Sequence, residues 1–298
     1  MRLPRLAAAT TALPLLALGL AACSSSSAPA NSASASTNVT EPHRIVSLSP
    51  TATEDLFAIG AGSQVVAVDK DSNYPSNAPK TTLDPITPNV EAILKYSPDL
   101  VVASEDSNGL AAALKKVGVA VLIEPAANTL NDAYTQIERL GAATGHVSSA
   151  DSTVTAMKSA IATAVRQAGS KHADLSYYWE LDPTYYSATS STFIGQIMGL
   201  FGLKNIADKV DKAADGGYPQ LSSEYIVQSS PSIVFLADTV CCGASATSVA
   251  ARPGWSGIVA VKVDDVVSLN DDVASRWGPR LPQLVEAIAA AVEKAPAK

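Results

Sequence analysis

Short β-branched runs alternate along the chain with stretches in which apolar residues recur every three or four positions. The run Arg44-Ile45-Val46-Ser47-Leu48 leads straight into Ser49-Pro50, a capping residue followed by the proline favoured at the first helical position. Ala52, Leu56 and Ile59 then share one helix face, Gly60 ends it, and residues 65–68 return to strand character. Further strands are expected at 100–103 and 119–122 with a helix over 110–117 between them, and another helix over 131–144. From about residue 150 to 167, a helix of about five turns, Val154, Met157, Ile161, Val165 and Ala168 draw one stripe with no glycine or proline before Gly169, the pattern of one stiff rod. Beyond it the pattern predicts strands at 175–181, 233–236, 259–263 and 266–269, and helices at 193–201 and 281–293. Strand and helix in alternation imply mainly parallel sheets. The fold class is therefore α/β, with two Rossmann-like lobes, 41–147 and 171–298, joined by one long rigid helix, 148–170.

An internal repeat sharpens this division. Residues 89–102, which begin Asn89-Val90-Glu91, align without a gap with residues 222–235, which begin Ser222-Ser223-Glu224. Each copy has a capping residue, a glutamate at the second helical position, an apolar pair, Ser-Pro to stop the helix and then an apolar strand. A helix N-terminus favours glutamate by about 0.3–1 kcal/mol in any protein. Recurrence at the same slot, 133 residues apart, adds that each lobe displays one carboxylate at an equivalent place.

The N-terminus carries Arg2 and Arg5 ahead of an apolar stretch over 6–20 and the small residues Ala21 and Ala22, the layout of a secretory signal. Leu20-Ala21-Ala22-Cys23 resembles the lipobox of bacterial lipoproteins, which implies cleavage after residue 22 and a lipidated Cys23. Residues 23–40 are Ser- and Ala-rich, have no hydrophobic period and read as a flexible tether. The formal net charge of −7 becomes −9 when Arg2 and Arg5 leave with the leader, which argues against a nucleic-acid partner. The remaining cysteines, Cys241 and Cys242, are adjacent in a compartment where disulfides persist. Their Cα atoms, about 3.8 Å apart across a trans peptide, lie below the usual disulfide span of about 4.4 Å upward, so bridged and free forms both stay open.

Catalytic chemistry is thinly supplied. The three histidines, His43, His146 and His172, are scattered, which gives no His-based triad and no multi-His metal centre. No phosphate loop, G-x-S-x-G or H-E-x-x-H is present. The reading is a non-enzyme with no metal site and no cofactor of its own. A secreted hydrolase working through a pair of carboxylates stays open as the alternative of another class.

The leader and tether, residues 44–50, Tyr74-Pro75, the two glutamate repeats and Arg276-Trp277-Gly278-Pro279-Arg280 together resemble the substrate-binding lipoproteins of ABC importers for ferric siderophores, haem and cobalamin. The resemblance spans nearly all of 41–292. It implies a class III periplasmic-binding-protein-like fold, a metal chelate held in a shallow cleft between the lobes, and a monomer that works with a permease dimer and its ATPase. It also implies docking of Glu91 and Glu224, one per lobe, to arginines of that permease. Open α/β sheets bind ligands outside the carboxyl ends of their strands, which makes Tyr74, Trp179, Tyr185, Tyr186, Tyr218, Arg276, Trp277 and Arg280 the candidate ligand-binding residues. Aromatic faces would cover a flat chelate and arginine forks would hold an anionic one. Cobalamin-binding relatives carry aromatic residues in the loop before the first glutamate, where this chain has Asp71 and Asp84-Pro85-Ile86-Thr87. That departure favours a ferric siderophore, with cobalamin second.

Overall fold

A computed structural model describes residues 41–169 and 175–295. The leader, Cys23, the tether and His172 lie outside the described residues. The N-terminal lobe runs β1 (Ile45–Leu48), α1 (Pro50–Ala58), β2 (Val65–Val68), α2 (Val90–Leu94), β3 (Leu100–Ala103), α3 (Leu110–Lys115) and β4 (Ala120–Ile123). Its four strands are parallel and lie in the order β2-β1-β3-β4. Next come α4 (Leu130–Thr144) and α5 (Val147–Ala168). The second lobe runs β5 (Ser176–Glu180), α6 (Phe193–Gly199), β6 (Lys204–Asn205), α7 (Ser223–Ser229) and β7 (Ile233–Leu236), then the short helices α8 (Thr239–Cys242), α9 (Ala246–Ala250) and α10 (Val259–Lys262). β8 (Val266–Ser268), α11 (Asp271–Ala274) and α12 (Leu281–Lys294) complete it.

The second sheet, again all parallel, has the order β6-β5-β7-β8, so the first, second, third and fourth strands of each lobe occupy the same places. The repeat is thus a repeat of position as well as of sequence. Asn89 and Ser222 cap α2 and α7 by accepting from the backbone N–H three residues on. Each helix stops beside a serine with positive φ, Ser97 (48°) or Ser230 (42°), ahead of a proline. The strand that follows, β3 or β7, is buried along its whole length, as the continuous apolar runs require of a central parallel strand.

The rod is α5, and it starts at Val147, three residues ahead of the expected position. Ala150, Val154, Met157, Ile161, Ala164 and Ala168 form its buried face, while Val165 lies partly buried beside it. Both α4 and α12 pack along this helix. At the turn into it, Gly145 takes φ 80° as the C-cap of α4, and a Cβ on Gly141 would come within 2.4 Å of the Ala150 Cβ, so the close crossing of α4 and α5 needs glycine there. One strand expectation fails: of residues 259–263, the first four form α10 and Val263 ends it. The free edge of β7 is taken by β8, paired from Val234–Val266 to Leu236–Ser268. Val259 N–H and Ala260 N–H turn instead to Ser230 Oγ and the Pro231 carbonyl. No helix of the described residues is long and apolar enough to cross a membrane.

Candidate functional site

Strand ends of both sheets converge on one cavity of about 340 Å³. Ala126 and Ala127 follow β4 in the first lobe. From the second lobe Leu181 follows β5, Ala237 follows β7 and the Asp271–Trp277 segment follows β8, with Phe193, Ile194, Tyr218 and Cys241 closing the walls. The floor is thus built of apolar side chains at the carboxyl ends of parallel strands, where an open α/β sheet leaves space for a ligand.

The rim beside the cavity is ionic, and its charges are matched internally. Glu54, on α1, is 1% exposed. Arg280 donates to it through Nε (2.7 Å) and Nη2 (2.5 Å), and Arg276 through Nη1 (2.8 Å). Arg276 also donates to Asn73 Oδ1, the Asp71 carbonyl and Asp272 Oδ1, which commits four of its five N–H groups. Trp277 Nε1 donates to Gln136 Oε1 on α4 at 2.7 Å. The loop between α11 and α12 therefore fastens the second lobe to the first through buried, charge-assisted bonds. Arg276 is thereby left with one uncommitted N–H, while Arg280 turns Nε and Nη2 to Glu54.

The family model of periplasmic binding proteins matches residues 45–273, the span that holds both sheets and most of this cleft. The chain belongs to that family. It is 34% identical over 261 residues to the uncharacterized ABC transporter substrate-binding lipoprotein YvrC of Bacillus subtilis, which covers 85% of this chain and 80% of that one. It is 31% identical over 252 residues to a cobalamin-binding protein of Halobacterium salinarum, covering 81% of this chain and 67% of the relative. The crystal structure of the periplasmic vitamin B12-binding protein BtuF of Vibrio cholerae superposes with a TM-score of 0.70 at 25% identity, over 84% of this chain and 96% of that one. Two parallel-sheet lobes joined by a long helix are thereby established as the class III periplasmic-binding-protein fold.

The candidate residues of this binding protein separate into three groups. Tyr218 (46% exposed), Arg276 and Trp277 line the cavity. Tyr74 and Arg280 stand at a neighbouring hollow, with the guanidinium 4.3 Å from the ring centre. The other three lie away from it. Trp179 is fully buried in β5 against Phe235, a core residue and not a cleft wall. Tyr185 stacks on Trp255 and lines a hollow beside Glu224, and Tyr186 pairs with Gln220 outside the cavity lining. Both fall in the loop after β5, and strand-end position alone does not say which way such a loop folds. Glu54, Gln136, Phe193 and Ile194 went unsingled by pattern. Glu54 carried no signal of its own, since the run Thr51 to Asp55 is mostly polar in sequence and its burial is a product of the fold.

Glu91 and Glu224 are both exposed, and neither makes an ion pair or side-chain hydrogen bond among the described residues. The adjacent cysteines are bonded to one another. Beneath Tyr185, Arg252 holds the fully buried Glu180 bidentately, at 2.5 and 2.6 Å. The Asp238 carboxyl stands beside that pair, and burial, with the Glu180 charge second, pushes its pKa up to about 7. A carboxyl raised from 3.8 takes up a proton on folding, so its contribution to stability falls as pH rises toward 7 and is flat above. Asp238→Asn should remove that slope. Melting temperatures followed across this range should show the variant gaining on the parent as pH rises, and parallel curves would contradict the assignment.

Proposed function

We propose that this protein is the extracytoplasmic substrate-binding lipoprotein of an ABC importer, that it captures a corrinoid of the cobalamin class in the interlobe cleft, and that it delivers it unchanged to a permease dimer powered by its ATPase. The observation that carries the choice of ligand is the engagement of Arg276 by Glu54, Asp272, Asn73 and the Asp71 carbonyl. The siderophore expectation rested on Asp71 and Asp84-Pro85-Ile86-Thr87 standing where cobalamin-binding relatives carry aromatic residues. An anionic chelate would in addition need arginine forks, and that of Arg276 is engaged within the protein. A ligand with a broad face and an amide rim needs the opposite, an apolar floor such as Leu181, Phe193, Tyr218 and Trp277 with few charges to strip of water. The cobalamin- and vitamin B12-binding relatives support the same class.

Titration of the purified protein with cyanocobalamin, haemin, cationic ferrioxamine B and anionic ferric enterobactin, followed by tryptophan fluorescence, tests this. Cyanocobalamin should bind with a Kd of about 1 μM or tighter and be recovered intact. Tight binding of ferric enterobactin with none of cyanocobalamin would reverse the choice, and turnover of any ligand would end the binding-protein reading.

The proposal includes anchoring through Cys23, at the outer face of the cell membrane. In a bacterial host fed radiolabelled palmitate, the protein should be labelled and fractionate with membranes, whereas Cys23→Ala should be unlabelled. Equal labelling of the two would place the lipid elsewhere or nowhere.

A further inference from the structure

The cleft wall contributed by α8 holds a group that the ligand reading leaves unassigned. Cys241 lines the cavity, it is disulfide-bonded to Cys242, and both residues are exposed. The turn that carries them is fixed from outside. Asp271 accepts from Val240 N–H (3.0 Å) and Cys241 N–H (2.7 Å), and Thr239 Oγ1 donates to the Leu269 carbonyl at 2.5 Å. Asp271 opens α11, the helix that leads directly to Arg276 and Trp277. The turn that carries the disulfide is thus hydrogen-bonded to the helix that leads to the tryptophan of the cavity.

We propose that the face of the Cys241–Cys242 disulfide is a ligand-contact surface of the cleft and that its redox state sets the affinity, an inference that rests on the corrinoid reading above. Closed into a ring through their shared peptide bond, the two side chains are restricted in rotation, and Cys241 presents a polarizable, weakly hydrated patch to the cavity that Tyr218 and Trp277 also line. A broad apolar ligand face covers such a patch without ordering it first. Reduction by a dithiol breaks the Sγ–Sγ bond. Two electrons and two protons pass from the reductant, each sulfur becomes a thiol, and the reductant leaves as its own cyclic disulfide. The freed side chains regain rotation and weak S–H donors that a bound ligand must again immobilise or leave unpaired.

The test uses the purified full chain in two states, oxidised and dithiothreitol-reduced. Reductant is removed under nitrogen and the state of Cys241 and Cys242 confirmed by peptide mass. Cyanocobalamin should bind the reduced form roughly tenfold more weakly, reoxidation should restore the affinity, and bound cyanocobalamin should slow reduction of the disulfide. A Cys241→Ala/Cys242→Ala variant, with its fold checked by circular dichroism, should bind with an affinity that no longer responds to reductant. Equal affinities of the two redox states together with no protection by ligand would overturn the disulfide's role and leave the corrinoid reading standing. Failure of the oxidised protein to bind cyanocobalamin at all would overturn both.

Discussion

Glu54→Gln is expected to cost this protein about 3–5 kcal/mol of folding stability, because it breaks a buried ion cluster from one side only. The carboxylate is 1% exposed, and the side chains of the two arginines that reach it from the second lobe are only 9% and 14% exposed. Glutamine keeps the shape and one acceptor oxygen but not the charge. Arg280 would retain no other side-chain acceptor that it contacts in the parent, and Arg276 would keep Asp272 and Asn73. Since domains are typically stable by about 5–15 kcal/mol in total, a loss of this size should appear as a large fall in the urea midpoint. Replacing all three residues by leucine should recover much of the stability, because removing a whole buried cluster is far less costly than orphaning part of it. Ligand affinity should not return with it, since Arg276 is itself part of the cleft wall. A Glu54→Gln protein within 1 kcal/mol of its parent, by the same urea titration, would show that water reaches the arginines and that the cluster does not hold the lobes.

Reversing both repeat glutamates, Glu91→Arg with Glu224→Arg, should reduce uptake by cells to background while ligand affinity stays near that of the parent. The two carboxylates occupy the same second position of α2 and α7, in lobes of identical strand order. Nothing among the described residues uses either charge internally. Their place at a helix N-terminus limits the folding cost of reversal to about 0.3–1 kcal/mol each, whereas, if these glutamates dock to arginines of the permease as we propose, a like-charge clash there costs several kcal/mol. Transport assays of the single and double variants, beside titrations of the same purified proteins, separate the two effects. Undiminished uptake by the double variant would remove these residues from docking. Parallel loss of uptake and ligand affinity would make them part of the binding site instead.

The sequence by itself determined what depends on neighbours in the chain. Ser49-Pro50, Asn89 and Ser222 mark helix starts because a cap bonds to the backbone N–H groups just after it, and each does so in the fold. The stripe from Val154 to Ala168 required one long helix, since only a period near 3.6 residues lines those side chains along a single face. The gapless repeat predicted equivalent lobes, because the same local signals in the same order direct the same strand–helix succession. Tertiary structure alone decided the rest. Pairing of Glu54 with Arg276 spans 222 residues and leaves no period to read. Whether Trp179 packs inward or Tyr218 faces the cavity depends on which face of a strand or loop the other elements cover. Of residues 259–263, which have the valines of a strand, the first four form a helix, because β8 already occupies the sheet edge they would need. That Arg276 spends four of its N–H groups on Glu54, Asn73, Asp71 and Asp272 was likewise not legible in the sequence, since the first three of those partners come from a distant part of the chain and only the fold brings them together.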